Sequence, residues 1–368
     1  MFQLSDCRRY PQRPNEAWAA YAVSAADLAQ EIAKLHEGTQ GADGRREGAV
    51  VHPQSREPGL GLAPAISAHF GVLRPGEQTL VRRRNASSFS IGLKGKAEAT
   101  LGGRSFQIGV WDSWITPGMQ AECIRNNGPE PFHYLTYSNA PLLQKLEVYV
   151  EEVIQDGGFV ADRQTKAHAF ADAARRAKDV AGGPIPVGDS GAMLLPYEHL
   201  IDPDFVDSQP LCWPWEDIAP HLGLVRGLGP GYTGRPLWCL YNPATEKRNG
   251  TTFSFFATVT SAAPNFVGPA HRHVSAAINF ILRGNGWSVV DGKRIDWAAG
   301  DIMLSAPGWA PHGHATGAEG AIILTIQDHP LHIGTESLIW QEDLKDGPVL
   351  TLGAQSGFQT NLTNYRDN

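Results

Sequence analysis

Residues 269–286, PAHRHVSAAINFILRGNG, set His271 and His273 one residue apart, on either side of Arg272. In an extended chain successive side chains alternate faces, so both imidazoles project to one side and Arg272 to the other. A second pair with the same spacing, His312 and His314, closes the stretch PGWAPHGH (307–314). Six of the 13 histidines fall between 271 and 332, so the enrichment is confined to one part of the chain. Neutral imidazoles gathered on one side suit a divalent ion such as Fe(II), Zn, Cu or Ni. Three of them, His271, His273 and His312, would leave coordination positions open for exchangeable partners. That chemistry requires the chain to fold back so that residues 41 apart in sequence converge.

The elements that could do this are short strands. Forty glycines and 26 prolines punctuate runs rich in Val, Ile, Phe, Thr and Trp, the pattern of an all-β body with a few peripheral helices. One helix is legible in SAADLAQEIAKLHEG, with Ser24 as cap, Asp27 in the first turn, Leu28, Ile32 and Leu35 on one face, and Gly38 as stop. A second, Ala- and Arg-rich, is expected over 162–183. On either side of that second helix the sequence repeats. FSIGLKGKAEATLGGRSFQIGVWDSWITPG (89–118) and INFILRGNGWSVVDGKRIDWAAGDIMLSAPG (278–308) share one order of strands, Gly turns and a Pro-Gly exit. A duplicated unit of about 90 residues built this way predicts two jelly-roll modules, whose early and late strands lie side by side. The expected division is an N-terminal helical extension (1–54), a first module (55–152), a helical linker and packing arm (153–234), a second module (235–345) and a C-terminal tail (346–368).

Bulk properties narrow the function classes. Net charge is −7 with no long single-sign run, which argues against a nucleic-acid or anionic-membrane partner. No stretch approaches the roughly 20 apolar residues of a membrane span, and no targeting signal is read. Four scattered cysteines without a CxxC pair fit a reduced compartment, so a cytoplasmic location is expected.

The second module resembles the cupin superfamily and, within it, the bicupin ring-cleaving dioxygenases of gentisate/salicylate type. The resemblance rests on the Asn242-Pro243 turn, HRH (271–273), the G-x-G hairpin (284–286), Gly300-Asp301 and W-x-x-H-x-H (309–314). It implies that His271, His273 and His312 bind Fe(II). It also implies that a small hydroxylated aromatic substrate and O2 are consumed, with homo-oligomers as dimer or tetramer. His314 then lies beside the substrate, where it can bond or deprotonate a ring hydroxyl, and Arg235 belongs to the same pocket. Two departures stand out. The family's usual catalytic module is the first, whereas the histidines here lie in the second. The arginine that would hold an aromatic carboxylate falls at Asn279, which offers a neutral amide instead of a bidentate charged clamp. The same three histidines would also serve a dioxygenase acting on a β-diketone or thiol, a Zn or Mn lyase or isomerase, or a non-enzymatic metal-binding cupin.

In the first module the positions of His271 and His273 become Arg82 and Arg84, and that of His312 becomes Glu122. Two guanidinium groups repel a cation, so this module is expected to be metal-free. A buried Arg–Glu–Arg cluster serving packing and dimerisation is one reading, and an anion pocket the other. Phe256 and Thr260 share a strand face and belong either to the substrate cavity or to ordinary core. Trp309 could stack on an aromatic substrate. Arg272 is expected to form a salt bridge, His329 and His332 to be surface residues, and Cys123 and Cys239 to be buried thiols.

Overall fold

A computed structural model describes residues 17–154, 175–201, 208–223 and 237–353. Nearly all of its regular structure is antiparallel β, with short helices at the periphery. Ser24 caps the helix Ala25–Glu37, its hydroxyl accepting from the Asp27 N–H at 3.1 Å, and Leu28 anchors the helix in the core. Of the helix expected over 162–183, residues 175–181 are helical and 162–174 lie outside the described residues.

The duplication is visible in the strands. In the first module, Ser88–Lys94 pairs with Phe132–Ser138, and Ala97–Leu101 with Glu122–Arg125. In the second, two long strands do the work of those four: Ala277–Val290 runs against His312–Gln327 over nearly its whole length. The kink that lets one strand serve both halves falls at the register shifts beside Ile281 and Gly284. Even the exits correspond, since Ala140–Lys145 and His329–Gly334 are both short helices with Pro at the second position.

Neither module is assembled from its own stretch of chain alone. Tyr21–Val23 joins the second module's sheet at the strand Ile302–Ala306, and Glu47–Val50 joins the first module's sheet at Ser67–Leu73. The stretch expected to be a helical extension thus also supplies a strand to each sheet. Leu211–Trp213, from the connecting arm, pairs with Ser113–Ile115. One apolar cluster runs through both modules, from Phe70, Phe89 and Leu135 to Phe255, Ile278 and Leu324, with Phe70 meeting Phe280 edge-on at 6.2 Å. At about 1.5–3 kcal/mol for each large apolar side chain buried, this shared core ties the modules into one unit. Among the described residues no helix is long and apolar enough to cross a membrane.

Candidate metal centre

The HRH segment is less regular than its alternation implied. Only Arg272–His273 forms a strand, paired with Ile339–Gln341, and His271 makes an isolated bridge to His312. The consequence for the side chains is nevertheless the expected one. His271, His273 and His312 are all buried, and one ligating nitrogen from each lies within 4.8 Å of the others.

Backbone carbonyls set the ring tautomers. His271 Nδ1 lies 3.2 Å from the Pro269 carbonyl, His273 Nδ1 2.8 Å from that of Ser275, and His312 Nδ1 2.9 Å from that of Ala310. A carbonyl can only accept, so each Nδ1 carries the proton and Nε2 keeps its lone pair for coordination. Three neutral nitrogen donors with their protons directed outward fit a divalent transition metal without any change of protonation state. Gln327 adds a further restraint, donating to Ser275 Oγ at 2.7 Å with its amide nitrogen 3.3 Å from His273 Nε2.

The three rings line a cavity of about 320 Å³. Its walls include Phe256, Phe266, Trp297 and Ile323, interrupted by Thr258, Thr260, Thr316 and Thr325, and none of the described lining residues is Asp, Glu, Lys or Arg. A cavity of this size and character suits a small, largely apolar molecule with a few hydrogen-bonding groups. His314 also lines it, its ring 5.7 Å from that of His312. Ser288 Oγ lies 2.8 Å from His314 Nδ1 and accepts from Trp297 Nε1 at 3.0 Å, so one ring nitrogen of the imidazole is engaged by the protein. That arrangement depends on Gly286, where any Cβ would come within 2.5 Å of the Trp297 ring.

The other expected residues separate into two groups. Phe256, Thr260 and Asn279 line the cavity. The Thr325 hydroxyl donates to Asn279 Oδ1 at 2.8 Å, which leaves the Asn279 amide N–H groups as its donors to a ligand. Trp309 does not line it. Its ring packs under the Arg272 guanidinium at 4.5 Å, on the far side of the strand. Arg272 itself donates to Gln341 at 2.8 Å instead of forming a salt bridge among the described residues. Arg235 lies outside the described residues.

His329, expected at the surface, lines the cavity, tilted against Phe256 at 5.7 Å with Nδ1 3.2 Å from Ser275 Oγ. Isolated spacing hid it. The signal was the two-residue rhythm Ile323, Thr325, Gln327, His329, which continues the inward face to the first residue of the following helix. The same rhythm would have found Thr258 between Phe256 and Thr260. Burial pushes the Cys123 thiol up and that of Cys239 to about 11, which makes both poor nucleophiles at neutral pH.

The first module carries charge where the second carries histidines. Arg82 is the backbone partner of Glu122, as His271 is of His312. Glu122 Oε1 lies 3.3 Å from Arg82 and 3.5 Å from Arg45, while Thr116 donates to its other oxygen at 2.7 Å. Burial alone would raise this carboxyl, but Arg82, Arg45 and Arg84 bring it down to about 2. Glu47 reaches both Arg45 and Arg82 at 3.7 Å and accepts from the Tyr134 hydroxyl at 2.9 Å. Arg45 and Glu47 come from the segment before the module, where no local pattern announced them.

Residues 256–327 match the AraC-like ligand binding domain. The chain is 24% identical over 291 residues to a 1-hydroxy-2-naphthoate 1,2-dioxygenase of Nocardioides sp. (strain KP7), covering 78% of this chain and 68% of that protein. It is also 24% identical over 295 residues to a 5-aminosalicylate 1,2-dioxygenase of Comamonas sp., covering 78% and 71%. The crystal structure of a salicylate 1,2-dioxygenase from Pseudaminobacter salicylatoxidans superposes with a TM-score of 0.71 at 16% identity, over 92% of each chain. That likeness is one of fold, and the fold is a bicupin.

Proposed function

We propose that this chain is an Fe(II)-dependent dioxygenase that opens a hydroxylated aromatic ring with O2, and that the second module alone carries the site. The observation that carries this reading is the convergence of His271, His273 and His312, each with Nδ1 tied to a carbonyl, in the lining of a cavity that also presents aromatic rings. The relatives named for 1-hydroxy-2-naphthoate and 5-aminosalicylate support a hydroxyaryl substrate. Iron bound by the three imidazoles would supply the one-electron chemistry that lets O2 react with a ring.

The chain's own residues bind and orient the substrate and manage its proton. Phe256 and Phe266 offer apolar aromatic surface for a flat ring. A substrate hydroxyl within reach of His314 Nε2 loses its proton to that nitrogen, while Ser288 and Trp297 hold the imidazole in place. Asn279 donates to a neutral or anionic group on the substrate. With no charged side chain among the described lining residues, a substrate carboxylate would depend on Arg235. We further propose a cytoplasmic enzyme that acts as a homo-oligomer.

The test is O2 uptake by iron-reconstituted protein with salicylate, gentisate, 5-aminosalicylate, 1-hydroxy-2-naphthoate and aminophenols, alongside a β-diketone and a thiol acid. Stoichiometric O2 consumption with loss of the aromatic absorbance for at least one aromatic substrate is expected. Turnover of the diketone or thiol alone would overturn the aromatic assignment.

A further inference from the structure

We propose that the first module holds a second ligand site, for a small oxyanion, formed by Arg84, His69 and Ser88. The repeat defines the position. Subtracting 189 from the residue number carries His271 to Arg82, and the same offset carries three cavity-lining residues of the second module, Thr258, His273 and Ala277, to His69, Arg84 and Ser88. The strand pairings agree: Asn279 faces Thr325 as Ser90 faces Thr136, and in both modules the pair is joined by a 2.8 Å hydrogen bond.

Charge within the cluster balances in number but not in geometry. Arg45 and Arg82 share Glu122 and Glu47, and Arg82 also lies 3.9 Å from Glu151. Among the described residues Arg84 makes no side-chain ion pair, and its Nη2 is buried without a hydrogen-bond partner there. Ser88 Oγ is buried and likewise unpartnered. Leaving a buried donor unsatisfied costs on the order of 1–3 kcal/mol, more for a charged group, so two such donors at equivalent positions of a ligand-binding fold call for an acceptor. Ser67 and Ser90, with smaller side chains, stand where the second module has Phe256 and Asn279. His69 belongs to the same group: burial, then the fields of Arg84 and Arg82, lower its pKa against the opposing pull of Glu47. An oxyanion supplies several acceptors at once for one guanidinium, one hydroxyl and one imidazole. Phosphate and carboxylate share that chemistry.

The experiment follows the thermal midpoint while phosphate or acetate is titrated at constant ionic strength with chloride. Wild type and His312→Ala are compared with Arg84→Gln and Ser88→Ala. The His312→Ala protein removes any contribution of a metal-bound anion in the second module, so the result is independent of the proposed enzymatic function. A saturable rise is expected in wild type and His312→Ala with at least one anion. The half-saturation concentration should increase roughly tenfold or more in Arg84→Gln and several-fold in Ser88→Ala. Saturation by phosphate alone identifies a phosphate-type ligand, and saturation by acetate a carboxylate. Equal, unsaturable rises in all four proteins would overturn the proposal, as would a saturable rise unchanged by both Arg84→Gln and Ser88→Ala. If Arg84→Gln does not fold, Ser88→Ala decides.

Discussion

His271 and His312 face each other across two backbone hydrogen bonds, each N–H donating to the other's carbonyl at 2.9 and 2.8 Å. This bridge joins the loop before one long strand to the first residue of another, and it brings the second HxH pair against the first. The pairing runs through backbone groups alone and involves neither imidazole. The same bridge in the first module joins Arg82 to Glu122, so one backbone scaffold carries either a cation site or an internal ion pair.

Because the backbone holds the bridge, the histidine side chains can be removed without dismantling the module. His271→Ala, His273→Ala and His312→Ala should each lower bound metal from about one ion per chain to background and abolish activity, with the circular dichroism spectrum unchanged. Metal analysis of the purified variants checks this, and stoichiometric metal retained by His312→Ala would exclude it as a ligand.

His314 lines the cavity but is not one of the three ligating histidines. His314→Ala should therefore keep its metal and lose turnover by about 10²–10⁴, the usual scale of acid–base assistance. Steady-state rates set against metal content separate the two, and an unchanged rate would reduce His314 to part of the wall.

The buried ion pairs make Glu122 a stability determinant. Glu122→Gln leaves Arg82 and Arg45 insufficiently neutralised and should cost about 3–5 kcal/mol, read by chemical denaturation. In the wild type the folded-state pKa of Glu122, about 2, lies below that of the unfolded chain. Its contribution is complete above the ordinary glutamate range and disappears as pH falls from there through 2. Total metal should stay near one per chain, and a ratio near two would contradict a cation-free first module.

Asn279 should set the response to substrate charge. Asn279→Arg adds a guanidinium to a lining otherwise without charge among the described residues, and should improve kcat/KM for an aromatic carboxylate by roughly ten- to a hundredfold over a neutral analogue. Competition assays with salicylate and salicylamide measure the ratio. An unaltered ratio would mean that Asn279 does not contact the variable group.

Asp328 sits buried beside the cavity, where desolvation pushes its pKa up to about 7 despite a 2.7 Å bond from the Ala276 N–H. Between the ordinary aspartate range and pH 7 the unfolded chain loses a proton that the folded protein keeps, so stability falls as pH rises through that window. Asp328→Asn should flatten this slope and leave the protein more stable than wild type at pH 8. Denaturation midpoints at pH 5 and pH 8 test it.

Two kinds of information were present in the sequence by itself. Period-two alternation put His271 and His273 on one side with Arg272 opposite, and the internal repeat identified Arg82, Arg84 and Glu122 as the counterparts of His271, His273 and His312. Both are local or self-referential patterns, which a single chain carries without reference to its folded neighbours. Tertiary structure decided the rest, because side-by-side contacts across a sheet depend on strand register and on which distant segment supplies the next strand. It directed Trp309 to Arg272 and away from the cavity, and brought His329 into the cavity from the start of a short helix. It also delivered Arg45 and Glu47 from a segment preceding the first module to complete the cluster around Glu122. Those two residues carry no spacing relation to Arg82, and only the pairing of Glu47–Val50 with the strand Ser67–Leu73 places them there.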